Sequence, residues 1–64
     1  MYRIREVREE RKLMQKDLAE AAHISRPYLH DLENNRRGAK HETLQRIADA
    51  LGVDIMELIV KRVG

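Results

Sequence analysis

The chain has 64 residues, a net charge of +2 and no cysteine, so it suits one small domain whose core must form without disulfides or thiolate-bound metal. No apolar run reaches the length of a bilayer-spanning helix and no signal-peptide pattern is visible, so a soluble chain in a reducing cytoplasm, with no membrane partner, is expected. With two tyrosines and neither phenylalanine nor tryptophan, stacking platforms for single-stranded nucleic acid are excluded.

Ile4 and Val7, with Leu13 beyond them, form a narrow apolar stripe among charges and predict a covering helix at the start of the chain. From Gln15 to Asn34 the apolar residues Leu18, Ala22, Ile24, Leu29 and Leu32 keep a helical spacing that breaks once, at His23-Ile24-Ser25. Two short helices meeting at a tight corner satisfy that pattern. Ala19 suits the closest approach of the pair, since a larger side chain would hold them apart. Ile24 is expected to plug the corner, with His23 helping to fill it. Ser25 is a good N-cap for the second of these helices, and Pro27 falls in its first turn, where a missing N–H costs little.

Leu44, Ile47, Ala48 and Leu51 lie at i, i+3, i+4 and i+7 and predict an amphipathic helix over 42–51, with Gly52 as its left-handed exit. Asp54 and Glu57 have the spacing of a capping box, and Ile55, Leu58 and Ile59 give a last short helix a core face. Met56, Val60 and Val63 make a second apolar stripe on that helix. It predicts a dimer interface within a segment over 54–63, the alternative being a frayed terminus in which these residues have no shared role. Five helices, no strand signals and no repeats imply an all-α, compact five-helix bundle occupying 1–64 as a single domain.

Residues 1–12 carry five basic and three acidic side chains, and residues 23–41 carry four basic and two acidic; residues 13–22 and 42–64 each sum to −1. Positive charge thus gathers on the opening helix and around the helix that follows Ser25, as a phosphate-facing surface requires, although ordinary solvated helix faces give the same totals. His23, His30 and His41 lack the clustered spacing of a metal site. No phosphate-binding glycine loop or nucleophile motif is visible, so no enzyme, cofactor, metal or small-molecule ligand is expected.

With Gln15, Leu18-Ala19, Ile24-Ser25, Leu32-Glu33-Asn34, Leu44, Ile47-Ala48 and Leu51-Gly52-Val53 in these positions, the chain resembles the lambda-repressor-like (Cro/repressor-type) helix-turn-helix family from Ile4 to about Ile59. It departs from that family at Met14, where a capping Ser or Thr is usual. His23 and Asn35 stand where glycine is common, and both side chains tolerate positive φ. The resemblance implies a sequence-specific regulator of transcription that binds double-stranded DNA. A homodimeric repressor on a two-fold-related operator is the expected form.

By the same resemblance the helix after Ser25 enters the major groove, a docking for which lambda and 434 repressors are standard examples. Arg26 is then the leading base reader, able to donate two hydrogen bonds to guanine. Pro27, Tyr28 and Asp31 are the other base-facing candidates. Tyr28 has a phosphate contact as its alternative, and Asp31 either accepts from a cytosine amino group or orients Arg26. Gln15, Ser25, His30, Asn34, Arg36, Arg37 and Lys40 are the candidate phosphate contacts. Arg8 and Glu33 are expected to bridge the opening and recognition helices. The competing reading is a protein-interaction module of the same fold, such as an antitoxin-like or transcription-machinery partner.

Overall fold

The computed structural model describes residues 2–59. Among the described residues, four α-helices and a 3-10 turn follow one another: α1 Ile4–Glu10, α2 Gln15–Ala22, α3 Arg26–Glu33, α4 His41–Leu51, and the turn Ile55–Leu58. α2 packs against both α3 and α4, while α1 lies across α3 and the final turn. The fully buried side chains of Ile4, Leu18, Leu29, Leu32, Ile47 and Leu58 form the centre, joined by Val7, Ala19, Ala22, Leu44, Ala48 and Leu51. Each of the large ones contributes about 1.5–3 kcal/mol relative to exposure. No described helix is long and apolar enough to cross a membrane.

Helices this short need sharp exits, and all four leave by the same device. A residue one position past α2 and α4, and two past α1 and α3, takes a left-handed backbone: Lys12 (φ 57), His23 (φ 58), Asn35 (φ 57) and Gly52 (φ 72). The N–H groups of these residues and of their successors then bond back to the last turn. After α2 the bonds are His23 N–H to Glu20 O and Ile24 N–H to Ala19 O; after α3 they are Asn35 N–H to Leu32 O and Arg36 N–H to Asp31 O. This paired pattern is the Schellman motif, which satisfies carbonyls that a helix end otherwise leaves open. His23 therefore serves the corner through its backbone. Its side chain is exposed and does not fill the corner as expected, because a left-handed residue turns its side chain out while the next residue, Ile24, packs against the core.

Helix starts are less uniform. Ser25 Oγ accepts the Tyr28 N–H at 3.2 Å and caps α3, with Pro27 in the first turn. Met14, with an extended backbone (φ −81, ψ 154), gives α2 no side-chain cap.

The predicted fifth helix is replaced by the 3-10 turn. Asp54 Oδ1 accepts the Met56 N–H at 2.8 Å, an i+2 bond, so the expected box between Asp54 and Glu57 does not form. Ile59 is already extended (φ −107, ψ 123) and pairs antiparallel with Tyr2. The Leu58 carbonyl is taken by the Arg3 N–H at 2.7 Å. That tertiary bond uses the acceptor a continuing helix would need, so the chain straightens. The helical phase on which the stripe of Met56, Val60 and Val63 was drawn ends at Leu58. Met56 is 48% exposed, and Val60 and Val63 lie outside the described residues.

α1 is fastened to α3 by a buried ion pair. Arg8 Nε and Nη2 donate to Glu33 Oε2 and Oε1 at 2.7 and 3.0 Å, and Arg8 Nη1 donates to the Leu13 carbonyl at 2.9 Å. The Glu33 side chain has no solvent exposure. Its hydrogen bonds raise the Arg8 guanidinium above its ordinary pKa against the opposing effect of burial, so Arg8 remains charged at any pH compatible with folding.

Two stability predictions follow from the helix exits and from this pair. A left-handed backbone costs a residue with a side chain roughly 1–2 kcal/mol, offset in part by the larger unfolded-state entropy of glycine. Lys12→Gly is expected to stabilise the domain by about 0.5–1 kcal/mol and raise the melting temperature by a few degrees; a lower melting point would contradict that balance. Glu33→Ala strands Arg8 and is expected to cost about 3–5 kcal/mol in urea unfolding, enough to unfold most of so small a domain, whereas parent-like stability would show that the pair does not hold α1.

Candidate nucleic-acid interface

α3 shows its two sides to different surroundings. Leu29, Leu32 and Glu33 face the interior, and Arg26, Pro27 and His30 face solvent. Between the start of α2 and this outer side lies an open notch of about 350 Å³, lined by Gln15, Arg26, Pro27, His30 and Asp31.

The notch is organised from beneath by Glu33. Gln15 Nε2 donates to Glu33 Oε1 at 3.2 Å, and Gln15 Oε1 accepts from Arg26 Nε at 3.3 Å. The buried carboxylate can only accept, so it holds the NH₂ side of the Gln15 amide inward and leaves the carbonyl facing Arg26. Arg26 is thereby tethered through Nε, while among the described residues its two terminal nitrogens make no hydrogen bond. Asp31 is half-buried and does not orient Arg26; Gln15 does. The second Gln15 N–H points toward His30 Nδ1 at 3.5 Å.

Asn34 caps the other end. Its Nδ2 donates to the His30 carbonyl at 2.8 Å and approaches His30 Nε2 at 3.3 Å, and its Oδ1 accepts from Arg5 Nη2 at 3.2 Å. Arg5 Nε also lies 3.6 Å from Glu33 Oε1. Arg5 is not among the residues expected at the site, although it stands three residues before Arg8 on the same face of α1 and that spacing was a usable signal.

The remaining candidates flank this surface. Ser25 Oγ is an acceptor for the Tyr28 N–H, which leaves its hydroxyl hydrogen free to donate outward. Tyr28 is half-buried against the core, with the Arg37 guanidinium carbon 5.3 Å from its ring centre, and it does not line the notch. Arg36, Arg37 and Lys40 are exposed in and after the α3–α4 loop, and Lys40 precedes α4 with an extended backbone. In the uncapped first turn of α2, no side chain takes up the free N–H groups, which are thus available to an anion.

A match to the helix-turn-helix family model covers residues 4–58. The chain is 49% identical over 57 residues to the HTH-type transcriptional regulator DdrOP3 of Deinococcus deserti, an alignment spanning 89% of this chain and 44% of that protein. It is 44% identical over 57 residues to the immunity repressor protein of Bacillus phage phi105, spanning 89% of this chain and 40% of the relative. The chain therefore spans less than half the length of either relative. Among solved structures it is similar to the restriction-modification controller protein C.AhdI of Aeromonas hydrophila, with a TM-score of 0.83 and 29% identity over 86% of this chain and 83% of that one. The capped α3, the corner at His23 and the matched length together establish that the chain belongs to the helix-turn-helix family.

Proposed function

We propose that the described domain reads double-stranded DNA in the cytoplasm as part of a transcriptional regulator, with α3 in the major groove. The observation that carries this reading is Arg26: it is exposed in the first turn of a capped helix, tethered through Nε, with both terminal nitrogens left to face a guanine edge. Pro27 offers an apolar surface to a thymine methyl, and the Asp31 carboxylate in the same notch suits a cytosine amino group. Tyr28, held under Arg37, fits backbone packing better than base reading.

Phosphate contacts surround the reader. The backbone N–H groups at Gln15 and the free hydroxyl hydrogen of Ser25 lie on one side, and Arg36, Arg37 and Lys40 on the other. The Gln15 amide is committed to Glu33 and Arg26, so this residue meets phosphate through its backbone and aligns the reader through its side chain. His30 and Asn34 bond to one another, which leaves them a supporting place at the rim.

The relatives named as a transcriptional regulator and an immunity repressor support a repressor, and a dimer on two half-sites about one helical turn apart is the geometry that fits a single α3 per copy. Met56, 48% exposed, is the described residue that suits the contact between copies; Val60 and Val63 are assigned to it with Met56 from the sequence alone.

Arg26→Ala is expected to lower discrimination at one base position of each half-site by about 1–3 kcal/mol, with folding unchanged, when bound sequences are selected from a random duplex pool at fixed salt. A selected consensus identical to the parent's rules out Arg26 as the reader. Tight capture of a protein with no duplex binding at any salt concentration favours a protein-interaction module instead. Met56→Lys is expected to shift sedimentation from dimer to monomer, and an unchanged dimeric mass excludes Met56 from the interface.

A further inference from the structure

Tyr2 lies outside every element that positions the notch, yet it makes three separate ties. Its backbone N–H donates to Asn35 Oδ1 at 3.0 Å, its phenol oxygen accepts the Ala39 N–H at 3.0 Å, and its main chain pairs with Ile59. The neighbouring Arg3 N–H bonds to the Leu58 carbonyl, so the strap has a fixed end in the core-anchored final turn. The residues it grips bracket Arg36, Arg37 and Gly38, and Tyr2 with Asn35, Arg36, Arg37 and Gly38 lines an open recess of about 340 Å³. Among the described residues, the N–H groups of Arg37, Gly38 and Lys40 have no protein acceptor, and the phenol oxygen is the acceptor for Ala39. Beyond the bonded exit at Asn35 and Arg36, this loop is held by Tyr2 on one side and by the Arg37–Tyr28 contact on the other.

We propose that Tyr2 is a positioning residue for DNA binding: it holds the α3–α4 loop so that Arg36 and Arg37 are set for phosphate before the duplex arrives. The inference rests on the DNA-reading function proposed above. Long side chains on a loop that must be ordered at binding lose affinity relative to the same side chains held in advance. The tether acts on phosphate contacts alone, so base preference is independent of it.

The test is a double-mutant cycle on a random-sequence duplex pool across a salt series. Tyr2→Phe removes the phenol oxygen and keeps the ring; Asn35→Gly removes the other acceptor and keeps the left-handed backbone. Each is expected to weaken binding by about three- to tenfold in the parent and to have no effect in an Arg36→Ala/Arg37→Ala background. Faster hydrogen exchange of the Ala39 amide in Tyr2→Phe, with melting near the parent's, accompanies that result. An equal loss in both backgrounds, or no loss in a parent that binds with steep salt dependence, overturns the inference. A parent with no salt-dependent duplex affinity instead refutes the underlying function, and the two failures are thereby distinct.

Discussion

The Glu33 carboxylate, removed from solvent beneath the α3 surface, organises most of what surrounds it. A buried carboxylate without partners is costly, and this one accepts from Arg8 Nε, Arg8 Nη2 and Gln15 Nε2. The same three bonds have geometric consequences. Arg8 ties α1 to α3 and reaches on to the Leu13 carbonyl, which fixes the loop entering α2. Gln15, at the first position of α2, is turned so that its carbonyl meets Arg26. One desolvated charge thus sets the relation of three helices and the pose of a solvent-facing arginine.

The second constraint is length. Helices of seven or eight residues have little stability of their own, so they persist because each buries a face and leaves by a bonded exit. Four left-handed residues close four helices, and only Gly52 is free of side-chain strain there. The compact corner at His23 brings α3 back against α2, with Ala22 and Leu29 wholly buried and the opposite side of α3 left open. Exposure of the reader and burial of the core are two results of the same turn.

The helices α1 to α4 were legible because each carries its own apolar spacing and two carry local end signals, Ser25 before α3 and Gly52 after α4. The form of the final element is not legible, for a matching reason. Asp54 to Ile59 has helical spacing, but Arg3 and Tyr2, more than fifty residues away in sequence, claim the Leu58 carbonyl and the Ile59 backbone. Periodicity records which face is apolar and contains nothing about a distant donor. Arg26 was identifiable from its place one residue after a cap. The partners of its guanidinium were not: Gln15, and not Asp31, holds it.

By itself the sequence determined the local matters: where helices start and stop, which faces are apolar, and which charged residues lie near the corner. Tertiary structure decided the links between segments: the amide orientation of Gln15, the place of Arg5 beside Asn34, the strap made by Tyr2, and the straightening of the chain at Ile59. The physical reason is the range of each signal. Capping, turn preference and apolar spacing act between residues a few positions apart, whereas the direction of a hydrogen bond is set only when a donor and an acceptor remote in the chain are brought together by the core.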